Sequence, residues 1–98
     1  MRSALLPVVP RSALIFLSFT INPRYILEKE VEEIFFNRPK YRFVESGYRE
    51  GEDVYSAAGQ TDAGRYLIVF FIQKEKNLAL ILSARDMDQK ERRRYEKK

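Results

Sequence analysis

The sequence predicts a small α+β domain: an antiparallel β-meander with one helix before it and one after it. Three observations carry this. Extended apolar runs recur between residues 40 and 84, with turn signals between them. A helix-period apolar pattern precedes those runs, and a highly charged segment with its own capping signal follows them. The length of 98 residues suits one core, and 45% apolar with 13% aromatic content suits a folded chain.

Residues 1–20 stand apart as a divergent N-terminal segment, and residues 21–98 read as a single domain. Pro7, Pro10 and Arg11 interrupt the first apolar stretch, and only Ala13 to Phe19 runs on with a single serine. That is short of the ~20 residues a spanning helix needs. No clear small-residue cleavage site follows it. An edge strand from Ala13 to Thr20 is the expectation.

The first helix is read from "INPRYILEKEVEEIFFN". Asn22 caps it, Pro23 suits its first position, and Leu27, Val31, Ile34 and Phe35 recur on one face. Asn37-Arg38-Pro39 ends it. Glu28, Glu30, Glu32 and Glu33 are expected on its solvent face. The strands follow as "KYRFVES", "EDVYSAAGQ", "RYLIVFFIQ" and "LALILSA". Thr61-Asp62-Ala63-Gly64 makes a hairpin connection, with Gly64 able to take positive φ. Asp88 with Glu91 three residues on forms an acidic capping box, so the last helix runs from about Gln89 to Glu96.

The chemistry is bounded by what is missing. The chain has no histidine and no cysteine. Imidazole bases, Ser-His-Asp triads, thiol nucleophiles and the usual zinc constellations are therefore excluded. Catalysis would fall to Arg, Lys, Tyr, Glu or Asp. The net charge is +4, and Arg85 to Lys98 holds seven basic against four acidic residues. A polyanionic partner, nucleic acid above all, is the class this balance favours.

Arg65 opens the central strand and Arg85 ends the last one. Antiparallel pairing brings the start of one beside the end of the other, so the two are expected to approach each other. Either they hold an anion between them, as the guanidinium fork suits phosphate, or each pairs with a local acid such as Asp62 or Asp86. Arg92, Arg93 and Arg94 lie ~100° apart around a helix and cannot all face one way. Lys40 and Arg42 could extend a basic face. Tyr95 reads as packed on the sheet, Glu52 as a loop carboxylate or a base, and Tyr55 as equally open. The aromatic set Phe35, Phe36, Phe43, Phe70 and Phe71 reads as core rather than as a base-stacking platform.

"DVYSAAGQTDAGRYLIVFFI" followed by "LALILSARDMDQKERRRYEKK" resembles the BrnT family of toxin ribonucleases from bacterial type II toxin–antitoxin systems. The matching pieces are Tyr55, Gly59, Thr61, Gly64-Arg65, Ser83-Ala84-Arg85, and Glu91-Arg92-Arg93 with Tyr95. The helix "EKEVEEIFFN" is also similar to the family's. The resemblance covers roughly Leu27 to the C-terminus. The Trp-Asp pair that usually opens the family has no counterpart.

The resemblance implies a RelE-like fold and a cytoplasmic endoribonuclease that cuts RNA with no metal or other cofactor. It implies a BrnA-like antitoxin bound in a hetero-oligomer, with no membrane partner. On that model Arg65 and Arg85 stabilise the charge on phosphorus, Glu52 acts as base, and Tyr55 or Tyr95 positions or relays a proton. Arg92, Arg93, Tyr95 and Lys40 hold the substrate. The alternative is a degenerate relative that binds RNA or an antitoxin without turnover.

Overall fold

The apolar run that begins after Gly64 becomes the middle strand of a five-stranded sheet, because β-branched and aromatic side chains fill both of its faces. The computed structural model describes residues 14–16, 26–47, 52–74 and 78–97. In chain order the elements are β1 (Leu14–Phe16), α1 (Glu28–Phe36), β2 (Lys40–Glu45), β3 (Val54–Gln60), β4 (Tyr66–Lys74), β5 (Leu78–Asp86) and α2 (Gln89–Glu96). The sheet order is β1-β5-β4-β3-β2. Strands β2 to β5 form the expected antiparallel meander. Strand β1 joins parallel to β5, so the sheet is mixed rather than wholly antiparallel. A parallel neighbour needs a long connection, and here α1 and the strands β2 to β4 lie between the two.

Helix α1 packs on β3 and β4 with Val31, Ile34 and Phe35 buried. Against them lie Ala57, Leu67, Val69, Phe71, Ala79 and Ile81, all buried as well. Phe35 meets Phe71 edge-on at 5.2 Å between centroids, and Tyr41 and Tyr55 pack on Phe71 from the sides. At Gly59 an added Cβ would lie 3.3 Å from Ile34 Cγ2, so a bare backbone lets the helix sit this close.

The described helix begins at Glu28, with Leu27 at its cap and the Leu27 N–H donating to the Glu30 carboxylate at 3.0 Å. The expected start, Pro23 capped by Asn22, lies outside the described residues. So do Ala13 and residues 17–20 of the expected edge strand. The acidic face of α1 is not simply solvated. Glu33 is buried and accepts the Asp62 N–H at 3.0 Å. Asn37 Nδ2 donates to the Gln60 carbonyl and the Asp62 carboxylate. These contacts clamp the β3–β4 turn, where Thr61 is buried, its Oγ1 accepts the Arg65 N–H, and Gly64 takes φ 94°.

Along β5 the register slips at Phe70/Phe71, leaving Leu82 as an extra residue between Ile81 and Ser83. Ile81 and Ala84, three apart, thereby both meet the α1 side, and Arg85 turns to the opposite, open face. The end of the chain crosses that open face. Helix α2 is capped by Asp88, whose carboxylate accepts the Glu91 N–H while the Glu91 carboxylate accepts the Asp88 N–H, as the sequence anticipates.

Phe71 is fully buried at the centre of the aromatic cluster. Phe71→Ala is expected to cost ~3–5 kcal/mol, the range for deleting a large core side chain. Urea unfolding should show this as a lower midpoint with little change in slope.

Candidate nucleic-acid groove

Side chains alternate along a strand, so the residues that do not face α1 form a second surface. On it lie Lys40 and Arg42 of β2, Ser56 and Ala58 of β3, Ile68 and Phe70 of β4, and Ser83 and Arg85 of β5. Helix α2 spans this surface at one end of the sheet. Eight residues cover ~12 Å, close to the ~14 Å across the three strand spacings from β5 to β2.

No residue of α2 is buried. Polar contacts hold it in place. At its start, Arg85 grips Glu91 with both arms of its guanidinium, each at 2.7 Å. In the middle, Arg92 stacks 4.0 Å over the Tyr66 ring, and the Tyr66 hydroxyl donates to Glu96. At its end, Lys40 Nζ donates to the Tyr95 and Lys97 carbonyls, satisfying free acceptors at the negative pole of the helix.

Between α2 and the open face lies a groove of about 430 Å³. Its floor is Ala58, Ile68 and Phe70, its β2 wall includes Lys40, Arg42 and Val44, and its α2 wall is Glu91, Arg94 and Tyr95. Arg85 borders it, with its guanidinium 5.5 Å from the Phe70 ring. Glu91 is the one carboxylate in the lining, and it is already paired. The arrangement offers cationic side chains and aromatic rings to an extended anion, a combination suited to the phosphates and bases of a single strand.

The expected site residues divide. Arg65 and Arg85 do not share an anion. The strand ends lie side by side, with Leu67 opposite Asp86, but the side chains leave opposite faces. Arg65 is held on the α1 side by Asp86 at 2.9 Å and Glu30 at 3.1 Å. The pairing with local acids therefore prevails for both arginines, through Asp86 and Glu30 for one and Glu91 for the other. Glu52 pairs with Lys74 at 3.2 Å, at the far end of β4. It is ~20 Å from Arg85, because Lys74 and Ile68, the partners of Glu52 and Arg85, are six residues apart along the strand. Glu52 cannot serve as base to a phosphate held by Arg85. Tyr55 faces α1 and stacks at 5.9 Å on Phe71, so it supports the core.

Lys40 and Tyr95 do border the groove. Arg92 is committed to Tyr66 and Glu96, and Arg93 lies on the outer side of α2. Arg94 is the arginine of that run that enters the groove, a choice set by helix phase relative to the sheet. The aromatic set also splits: Phe35 and Phe71 are core, Phe70 is half-buried on the groove floor, and Phe36 and Phe43, expected in the core as well, are exposed. Strict alternation through "IVFF" is the signal that puts Phe70 and Phe71 on opposite faces. Among the described residues no group of three acidic side chains gathers as a metal cradle, and no helix is long and apolar enough to cross a membrane.

Arg85, followed by the Asp88 backbone N–H, holds the Glu91 carboxyl below its usual range against a partial desolvation penalty. A depressed carboxyl pKa stabilises the native form fully above the unfolded value near 4.5 and loses that contribution as pH falls through the lower native value. Acidification below pH ~4.5 is therefore expected to loosen α2 before the core. Amide exchange should show residues 89–96 losing protection while β4 stays protected, and Glu91→Gln should remove the pH dependence.

No family model and no curated protein matches the chain.

Proposed function

We propose that the chain binds single-stranded RNA in the groove under α2 and cuts it there without a metal. On this reading it is the cytoplasmic toxin of a type II toxin–antitoxin pair, with the RelE-like architecture that its resemblance to BrnT ribonucleases implies. The observation that supports the reading is the groove itself: Lys40, Arg42, Arg85 and Arg94 around an apolar floor with Phe70 and Tyr95.

The chemistry suits a chain with no histidine. The 2′-oxygen of the RNA bonds to phosphorus as the bond to the 5′-oxygen breaks, leaving a 2′,3′-cyclic phosphate and a 5′-hydroxyl. One proton must leave the 2′-hydroxyl and one must reach the departing oxygen. Arg85 and Arg94 stabilise the charge that builds on the phosphoryl oxygens. A phosphate that takes up the Arg85 fork also releases Glu91 from it. Free of its partner, Glu91 becomes a stronger base beside the substrate and takes the 2′ proton. The Tyr95 hydroxyl is the nearby acid that serves the leaving oxygen. A BrnA-like antitoxin would cover the same groove with an acidic or apolar segment.

A second reading, RNA or antitoxin binding without turnover, draws on one observation. The carboxylate expected as base, Glu52, is remote, and the one in the groove begins locked to Arg85.

The test is incubation of the purified chain with single-stranded RNA in EDTA, beside Arg85→Ala and Glu91→Gln. The parent is expected to cut. Arg85→Ala should lose ~100-fold or more in rate, as removal of a charge-stabilising donor does. Glu91→Gln should lose cleavage yet bind RNA at least as tightly, because Arg85 is then free for phosphate. Undiminished cleavage by Arg85→Ala would remove the proposed site. Salt-sensitive binding with no cleavage by the parent selects the second reading.

A further inference from the structure

The outer side of α2 carries a second basic feature that shares only Arg94 with the groove. Lys90, Arg93, Arg94 and Lys97 follow the spacing i, i+3, i+4, i+7, which lines them up along one helical face. The stripe is ~10 Å long and borders a shallow depression of about 250 Å³. All four residues are exposed, and among the described residues none forms an ion pair. The carboxylates of α2 itself are engaged elsewhere, Glu91 with Arg85 and Glu96 with Arg92 and Tyr66.

This stripe costs the helix stability. Every neighbouring pair within it is a like-charge pair, which disfavours the helix. The negative pole at the helix end accounts for cations at 93, 94 and 97. It does not account for Lys90, which stands in the first turn near the positive pole. A bound anion relieves all of these repulsions at once. Arg94 lines both the depression and the groove, so the two basic surfaces are continuous.

We infer that the outer face of α2 is a second phosphate-binding site, which takes the backbone of the RNA where it leaves the groove. The inference rests on the RNA reading of the groove and adds the class of substrate: a strand longer than the groove itself holds. Continuity through Arg94 favours RNA over an acidic protein or an anionic membrane as the ligand.

The experiment compares the parent with Lys90→Gln/Lys97→Gln, using fluorescence anisotropy with a single-stranded tetranucleotide and a dodecanucleotide over a range of salt. Both positions are exposed and unpaired, so an unchanged melting temperature is the check on folding. For the dodecanucleotide, the slope of log affinity against log salt should become shallower by about 1.4, two contacts at about 0.7 each. Tetranucleotide affinity should stay the same. Equal dodecanucleotide slopes in parent and variant overturn the inference. So does an equal loss for both lengths, which would make the stripe part of the groove. Parent binding to phosphatidylserine vesicles that the variant loses, with RNA slopes unchanged, assigns the stripe to a membrane surface and also overturns it. Failure of the parent to bind the tetranucleotide strikes the groove reading instead, and the dodecanucleotide slopes then judge the stripe alone.

Discussion

The edge-on contact of Phe35 with Phe71 decides which face of the sheet is buried, and the remaining surfaces follow from it. Once Phe71 points at α1, strand alternation sends Tyr55, Ala57, Val69 and Leu67 the same way and turns Ser56, Ala58, Ile68 and Phe70 to the other side. A one-residue slip would reverse every assignment, exposing Phe71 and burying the neighbours of Arg85. The bulge at Leu82 completes the arrangement. It lets β5 contribute both Ile81 and Ala84 to the core, then present Arg85 to the open face and Asp86 to Arg65. The site is a by-product of core packing carried to the end of a strand.

The two helices are held by different physics. Helix α1 is fastened by apolar burial, reinforced by Glu33 and Asn37 on the β3–β4 turn. Helix α2 has no fully buried residue and is fastened by hydrogen bonds and charge at its two ends, with Arg92 and the half-buried Tyr95 packed on the Tyr66 ring between them. Burial is indifferent to pH and salt over ordinary ranges, whereas exposed charge pairs are screened by salt and lost when a carboxylate takes a proton. The element that roofs the groove is thus the one whose attachment responds to ions. On the proposed reading, a phosphate in the groove would compete for the same arginine that anchors α2.

A net charge of +4 says little about where a polyanion would bind. Segregation says more. Arg65 and Lys74 are matched with Glu30, Asp86 and Glu52 at opposite ends of β4. Among the described residues, Lys40, Arg42 and Arg94 line the groove, and Lys90, Arg93, Arg94 and Lys97 line the outer side of α2. Local pairing neutralises the two ends of β4, while cations of β2 and α2 stand together at the groove.

Much of the fold was written in local pattern. The bounds of α2 follow from Asp88 and Glu91, since a capping box needs only residues three apart, and the hairpin at Thr61–Gly64 follows from turn chemistry of the same short range. The meander follows from strands joined by short connections. The sequence alone also excluded imidazole and thiol chemistry. Tertiary structure decided the rest. That β1 lies parallel to β5 is a pairing its three residues do not specify. The separation of Arg65 from Arg85 depends on face, which a single bulged residue in β5 resets. Glu33 is buried, and Arg94 rather than Arg93 enters the groove, because helix phase acquires meaning only against a neighbouring surface. Local chemistry named the charged residues; packing between distant segments chose which of them stand together.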